Sequence, residues 1–149
     1  MKKIMSLIFV LFLVGCSRQE YRTCNVDVEN NINNYNMTGT YKIYYEDNYV
    51  TKIEKQEKYV SNDEYIVNYF DEYKNLEYYN LNDLYGGHAY KVTKQENSVD
   101  ISATIDMSLV DIEKMVKDQK IDKNYVISNR LTTSGVVKIY ESKGAICDI

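Results

Sequence analysis

The chain contains no proline and no tryptophan, and among its 149 residues only one histidine, six glycines and three cysteines. With a single histidine and no Cys-x-x-Cys pair, the donor sets of a zinc site are missing, and neither a metal nor another cofactor is expected. No Gly-x-Ser-x-Gly elbow accompanies that histidine, so acyl transfer has no evident nucleophile. Gly86-Gly87 has neither the lysine nor the spacing of a phosphate-binding loop. Basic residues are too few to balance the acids: the formal net charge is −4, and the lysines and arginines are scattered. An acidic domain without a basic patch does not invite nucleic acid. What fills the sequence instead is tyrosine, sixteen of them, with many Asn, Lys and Ile. That bias fits AT-rich coding, as in low-GC Gram-positive bacteria. Tyrosine is a good strand former that fills a core while its hydroxyl stays wet, so most of the sixteen are expected to be structural.

The N-terminus carries the clearest signal. Lys2 and Lys3 precede an apolar run from Ile4 to Val14, and Leu13-Val14-Gly15-Cys16 ends it. A basic start, a short apolar stretch and a small residue before a break form the layout of a secretory signal peptide. Eleven residues are too few for a stable bilayer-spanning helix, which needs about 20. Leu13-Val-Gly-Cys16 resembles the bacterial lipobox, in which the cysteine takes a lipid on its sulfur and becomes the new N-terminus. The alternative is an ordinary signal peptide cut near Gly15, with Cys16 a plain thiol. The expected organisation is a signal peptide over 1–15, a lipidated tether over 16–23 and one domain over 24–149. Loss of the signal removes two lysines and moves the charge to −6, sixteen bases against twenty-two acids. Attachment is then covalent rather than electrostatic. The tether after Cys16 spans at most about 25 Å, which holds the domain close to the bilayer.

Acylation of Cys16 leaves Cys24 and Cys147 as an even pair in an exported, oxidising setting, where a disulfide is the default expectation. Two free thiols are the alternative.

Alternation and turn residues outline the domain. Cys24 to Val28 reads as a strand and Asn30 to Asn34 as a turn. Tyr35–Glu46 and Tyr49–Val60 read as a hairpin around Asp47-Asn48, with Tyr41, Ile43 and Tyr45 on one face. Ser61-Asn-Asp-Glu64 matches a capping box. The helix after it is expected to turn Ile66, Tyr69, Phe70, Tyr73 and Leu76 inward, with Lys74 elsewhere, and to fray around Asn80 to Tyr85. Strands over His88–Gln95 and Ser98–Asp106 form a second hairpin around Glu96-Asn97. A second helix runs from Leu109 to about Asp118 under a Ser108 cap, and Tyr125 to Ile127 reads as a short strand. The last element, 136–143, is either a helix capped by Thr133 or Ser134 and ended by Gly144, or a strand over Val136–Tyr140.

Tyr41-Lys-Ile-Tyr-Tyr-Glu-Asp-Asn-Tyr-Val50 aligns without gaps to Tyr90-Lys-Val-Thr-Lys-Gln-Glu-Asn-Ser-Val99. Each copy reads strand, acidic-Asn turn, strand, capped helix. A duplicated ββα unit would place Asn48 and Asn97 at equivalent turns; hairpin chemistry repeated by chance is the alternative. The expected fold class is α+β, an antiparallel sheet with helices packed on one face.

Few side chains are candidates for chemistry. His88 lacks an orienting acid and a nucleophile and reads as a turn or strand-start residue. Asp106 and Asp111 flank a helix start; a carboxylate pair can hydrolyse glycosides, but the helix dipole explains Asp111 more simply. Tyr44, Tyr78 and Tyr79 are candidates for an exposed aromatic binding patch.

Several segments together resemble the YehR-like family of small bacterial lipoproteins, a domain of unknown function. They are Leu13-Val-Gly-Cys16, Cys24 soon after, Tyr41-Lys-Ile-Tyr-Tyr-Glu-Asp47, Ile105-Asp-Met-Ser-Leu-Val-Asp-Ile112, and Gly144-Ala-Ile-Cys147. The resemblance implies an α+β fold and brings no catalytic residues. The functional expectation is a non-enzymatic interaction module of the cell envelope, membrane-anchored through Cys16 on the extracytoplasmic face. Its partner is an unknown envelope protein or small ligand. A peptide- or glycan-binding lipoprotein is the alternative, and a hydrolase is third.

Overall fold

A computed structural model describes residues 20–148. Cys16 and the signal segment lie outside the described residues. Eight strands and three helices follow in order: β1 (Glu20–Asn30), β2 (Tyr35–Glu46), β3 (Tyr49–Val60), α1 (Glu64–Tyr85), β4 (His88–Lys94), β5 (Ser98–Asp106), α2 (Ile112–Lys117), β6 (Val126–Ile127), β7 (Arg130–Leu131), α3 (Thr133–Glu141) and β8 (Ile146–Cys147). Six strands form one antiparallel sheet in the order β4-β5-β3-β2-β1-β8, and β6 and β7 pair separately. The helices pack on one side of the large sheet, so the class is α+β as the sequence leads one to expect. β1 begins at Glu20, so residues 20–23 of the expected tether are paired strand, opposite Tyr45 to Lys42.

Alternation decides which face each strand buries. Cys24, Val26, Tyr41 and Ile43 point to the helix side, and Tyr21, Asn25, Lys42 and Tyr44 share the other face. Val50 and Ile53 are both buried although their spacing breaks the period of two. A register shift between Tyr44 and Tyr45 inserts an extra residue on β3, and the bulge turns both side chains inward. One core cluster gathers Cys24, Ile43, Val50, Ile53, Ile112, Leu131 and Val136 under α2 and α3; a second gathers Val67, Phe70, Tyr78, Val99 and Ile101 under α1.

Cys24 lies opposite Cys147 in the β1–β8 pair, and their sulfurs are bonded at 1.99 Å with Cα atoms 3.9 Å apart. The bridge closes a separation of 123 residues. Chain-entropy reasoning gives about 5 kcal/mol for a loop of that size.

Several expected boundaries shift, each for a local reason. Ser61 does not cap α1. Its hydroxyl donates to the Asn34 carbonyl at 2.6 Å, and Asp63 caps instead by accepting from the Tyr65 amide at 2.9 Å. α1 continues without fraying to Tyr85, whose buried ring packs beneath the helix end while its hydroxyl donates to Asp118 at 3.1 Å. Its inward face is Val67, Phe70, Lys74, Tyr78 and Tyr85; Tyr69, Tyr73 and Leu76, expected inside, are exposed. α2 starts at Ile112 under Asp111, which accepts from the Lys114 amide, while Leu109 is exposed. Ser108 is held by Asp106 and caps nothing. The last element is a helix, capped by Thr132 rather than Thr133 or Ser134. Ala145 N–H to Tyr140 and Gly144 N–H to Glu141, with Gly144 at φ +88°, close it in a Schellman turn.

The internal echo holds at the turn ends of the two hairpins and is lost beyond the bulge, where Tyr41 faces Lys55 but Tyr90 faces Ala103 rather than Thr104. Tyr45 faces Val50 and Lys94 faces Val99, the aligned pairs of the two hairpins, and β3 and β5 are neighbours in the sheet. Tyr41 and Tyr90 both turn to the helix side, stacked on Tyr140 and Tyr78 respectively. Asn48 and Asn97 share a place in register but not a turn: Asp47 and Asn48 both have positive φ, whereas Glu96 and Asn97 do not. The helices also differ, 22 residues against 6.

Candidate functional site

The most unusual arrangement lies between the two core clusters, beneath the helices. Alternation along β3 puts Lys55 and Glu57 on the same face as Ile53 and Tyr59, so a lysine and a glutamate are carried into the interior. Glu57 is buried. Gly39 stands directly across the ladder, and a Cβ there would sit 3.0 Å from the Tyr41 hydroxyl. Its absence lets the Tyr41 ring reach Glu57 and donate to Oε1 at 3.1 Å. The Tyr59 hydroxyl donates to Oε2 at 3.5 Å. Lys55 lies 3.3 Å from Oε1, and Lys74 of α1 lies 4.0 Å from Oε2. Lys55 also donates to the Tyr78 hydroxyl at 2.7 Å, and Lys74 reaches Glu77 at 2.7 Å. Both ammonium groups lie over aromatic rings, Lys55 over Tyr41 and Tyr78, Lys74 over Tyr59 and Tyr73.

Electrostatics hold Glu57, Lys74, Tyr41, Tyr59 and Tyr78 in their resting protonation states. Burial pushes the Glu57 carboxyl up, but Lys55, Lys74 and the Tyr41 hydroxyl outweigh burial and hold it below the ordinary value. Burial alone would lower Lys74; the bond to Glu77, with Tyr59 and Glu57 nearby, leaves it raised instead. Burial, with Glu57 adding, raises Tyr41 and Tyr78, and pushes Tyr59 up to about 12. A carboxylate that stays ionised, a lysine that stays charged and phenols that stay neutral do not exchange protons near neutral pH. General acid–base catalysis asks for the opposite tuning. The cluster reads as a fastener between the two halves of the core.

The other candidates are dispersed. His88 opens β4 and is buried; its Nδ1 donates to the Gly86 carbonyl at 2.6 Å. Burial, with Lys55 in the vicinity, lowers its pKa, against a smaller upward pull from Gly86, so the ring is neutral at pH 7. Gly86 and Gly87 both take φ +73°, and a Cβ on Gly87 would meet the Asp106 carbonyl at 2.7 Å, so a turn residue without side chain is required there. Asp106 and Asp111 are each engaged locally, with Ser108 and the Lys114 amide. Tyr44, Tyr78 and Tyr79 do not form one patch. Tyr44 lies on the open sheet face bonded to Glu54 at 2.8 Å, Tyr78 is only 1% exposed beneath α1, and Tyr79 is 59% exposed on it. Helix phase separates the adjacent Tyr78 and Tyr79 by about 100°. Among the described residues, no group of three or more His, Cys, Asp and Glu is placed to hold a metal.

The open sheet face carries a hollow of about 440 Å³, lined among others by Thr40, Lys42, Glu54, Gln56, Lys91 and Thr104. Tyr21 and Tyr44 form a tilted aromatic pair on the same face, with ring centroids 5.4 Å apart.

Two solved structures share this architecture. The NMR structure of the YehR protein of Escherichia coli matches with a TM-score of 0.53 at 15% identity, over 87% of this chain and 92% of that one. The chain has the YehR fold. An NMR structure of a protein from Streptococcus pneumoniae TIGR4 matches equally well, TM-score 0.53 at 14% identity, over 99% of this chain and 96% of that one. No family model and no curated protein matches the sequence. The resemblance to YehR-like proteins read from the sequence therefore holds in the fold, which brings no site residues with it. Glu57 escaped the sequence reading, although the alternation Ile53, Lys55, Glu57, Tyr59 contained the signal.

Proposed function

We propose that the chain is a member of the YehR-like family and an extracytoplasmic bacterial lipoprotein, lipid-anchored through Cys16, whose domain is a non-enzymatic interaction module of the cell envelope. The observation that carries this reading is the bridge between Cys24 and Cys147. Such bonds form and persist where the compartment is oxidising, as it is beyond the cytoplasmic membrane. It agrees with the signal-peptide layout ahead of Cys16. The resting protonation states around Glu57 and the isolation of His88 support a role without catalysis. The acidic balance supports a protein or small-ligand partner over nucleic acid.

Cys16→Ala tests the anchor. Acyl chains contribute about 0.8 kcal/mol of membrane affinity per buried methylene, so their loss releases the domain to the soluble fraction. Fractionation with lipid labelling reads this out. A variant that stays membrane-bound through the domain alone would overturn it.

A second reading, a peptide- or glycan-binding lipoprotein, is favoured by the hollow on the open face beside Tyr21 and Tyr44. Titration with soluble cell-wall fragments would perturb amide signals of Thr40, Lys91 and Thr104 if it is right, and leave them unmoved if it is not.

A further inference from the structure

α1 has two apolar faces, and only one is used by the fold. Val67, Phe70, Tyr78 and Tyr85 are buried against the sheet. On the opposite side Tyr65 is 75% exposed, Tyr69 49%, Tyr73 45% and Leu76 59%. Spacings of four, four and three place these on one stripe about three turns long, the pattern by which a helix packs against another helix. Tyr69 and Tyr73 stack with centroids 5.6 Å apart, which presents them as one fixed surface. At the N-terminal end the stripe runs into a hollow of about 410 Å³ lined by Asn33, Tyr35, Tyr65, Ile66, Tyr69 and Phe70. Ile32, beside Asn33, is 93% exposed. A contiguous apolar surface with a pocket at one end is not needed for solubility or for the core and marks an interaction site.

Charge selects the occupant. α1 carries five carboxylates, Glu64, Asp71, Glu72, Glu77 and Asp83, against one lysine, Lys74. Helical spacing puts Glu72 and Asp83 on the exposed stripe. The bases that bond to α1 are engaged: Lys74 with Glu57 and Glu77, Lys55 with Glu57 and the Tyr78 hydroxyl, Lys94 with Asn68, and Lys114 with the Leu84 carbonyl. A second copy docking through the same face would set acid against acid. We infer that the outer face of α1 is a docking surface for a basic amphipathic helix of a partner protein, its apolar side laid on Tyr65–Leu76 and its lysines or arginines facing Glu72 and Asp83. The inference rests on the interaction-module reading and gives it a surface.

The test uses the full chain in neutral-lipid nanodiscs, with empty nanodiscs as the blank, titrated with a synthetic leucine–lysine peptide of helical repeat. A leucine–glutamate peptide of the same pattern is the counter-probe. The basic peptide should bind, the acidic one should not, and Tyr65→Ala with Leu76→Ala should weaken binding about tenfold or more. Glu72→Gln with Asp83→Asn should weaken it and flatten its salt dependence. Lys138→Ala on α3 should change nothing. All five positions lie on the surface, and melting curves verify that each variant folds. Unaltered binding after the Tyr65 and Leu76 substitutions, or equal binding of the acidic peptide, would overturn the inference. So would a dimer of the unsubstituted chain that Leu76→Glu disperses. Failure of the anchor reading shows separately, as a chain that does not enter nanodiscs; the same titration then runs on the chain in solution.

Discussion

Glu57→Gln keeps the shape of a buried side chain and deletes its charge, which makes it the sharpest probe of the fastener between the core halves. In the native protein the carboxylate faces Lys55 at 3.3 Å and Lys74 at 4.0 Å and accepts from Tyr41 at 3.1 Å. At an effective dielectric of about 20, each such charge pair is worth about 4 kcal/mol before desolvation. The two lysine side chains are only 18% and 13% exposed, so water screens them little. Deleting the shared anion leaves Lys55 without an ionic partner, while Lys74 retains Glu77. Removal of one member of a buried pair costs about 3–5 kcal/mol, and the surviving Lys74–Glu77 contact argues for the lower end, about 3. For a domain of this size that lowers Tm by roughly 10 °C. Urea denaturation with the disulfide intact measures the loss. The pH dependence adds an independent check. Glu57 is held below its ordinary value, so its stabilisation is present above about pH 4.5 and is lost as pH falls through the depressed folded value. The gap between native and variant must therefore close in acid. A loss under about 1 kcal/mol at pH 7, or a gap that persists undiminished to about pH 2, would refute the argument.

Replacing Cys24 and Cys147 together by serine should cost about 5 kcal/mol by the chain-entropy argument, and thiol titration of the native domain should find neither residue free. His88→Ala should cost about 1–3 kcal/mol, since the ring is buried and bonded to Gly86 rather than lying on the surface; it should leave any biological activity unchanged apart from protein level, and a lost activity at unaltered stability would reopen the catalytic reading. At alkaline pH the buried phenols oppose unfolding only while neutral: their contribution is full below about 10, the ordinary tyrosine value, and is lost as pH rises through about 12, where Tyr59 and Tyr140 titrate. Tyrosinate absorbance followed alongside circular dichroism should show a fraction of the tyrosines ionising only as the fold is lost, and complete ionisation by about pH 11 with the fold intact would contradict it.

The strands and hairpins were legible because their determinants are local. Alternation in Tyr41–Tyr45 and Val99–Ile105, and the Asp47-Asn48 turn that accepts positive φ at both residues, act within a few positions of themselves. The Cys24–Cys147 bridge followed from counting cysteines in an exported chain, and the Gly144 cap from its left-handed conformation. Tertiary structure decided what depends on neighbours distant in sequence. α1 offers two apolar stripes, and its periodicity alone favoured the one with Tyr69, Tyr73 and Leu76. Phe70 was expected inside and is; only the sheet beneath the helix selected Val67 and Tyr78 beside it, in one cluster with Val99, Ile101 and Ala103. The helix caps lie at Asp63, Asp111 and Thr132, whose side-chain oxygens accept from the first amides of their helices, while Ser61 is drawn to the Asn34 carbonyl and Ser108 to Asp106. Glu57 shows the same division. Its side of the strand was written in alternation, but its partners Tyr41 and Lys74 come from β2 and α1, and only folding brings that hydroxyl and that charge within reach of one carboxylate.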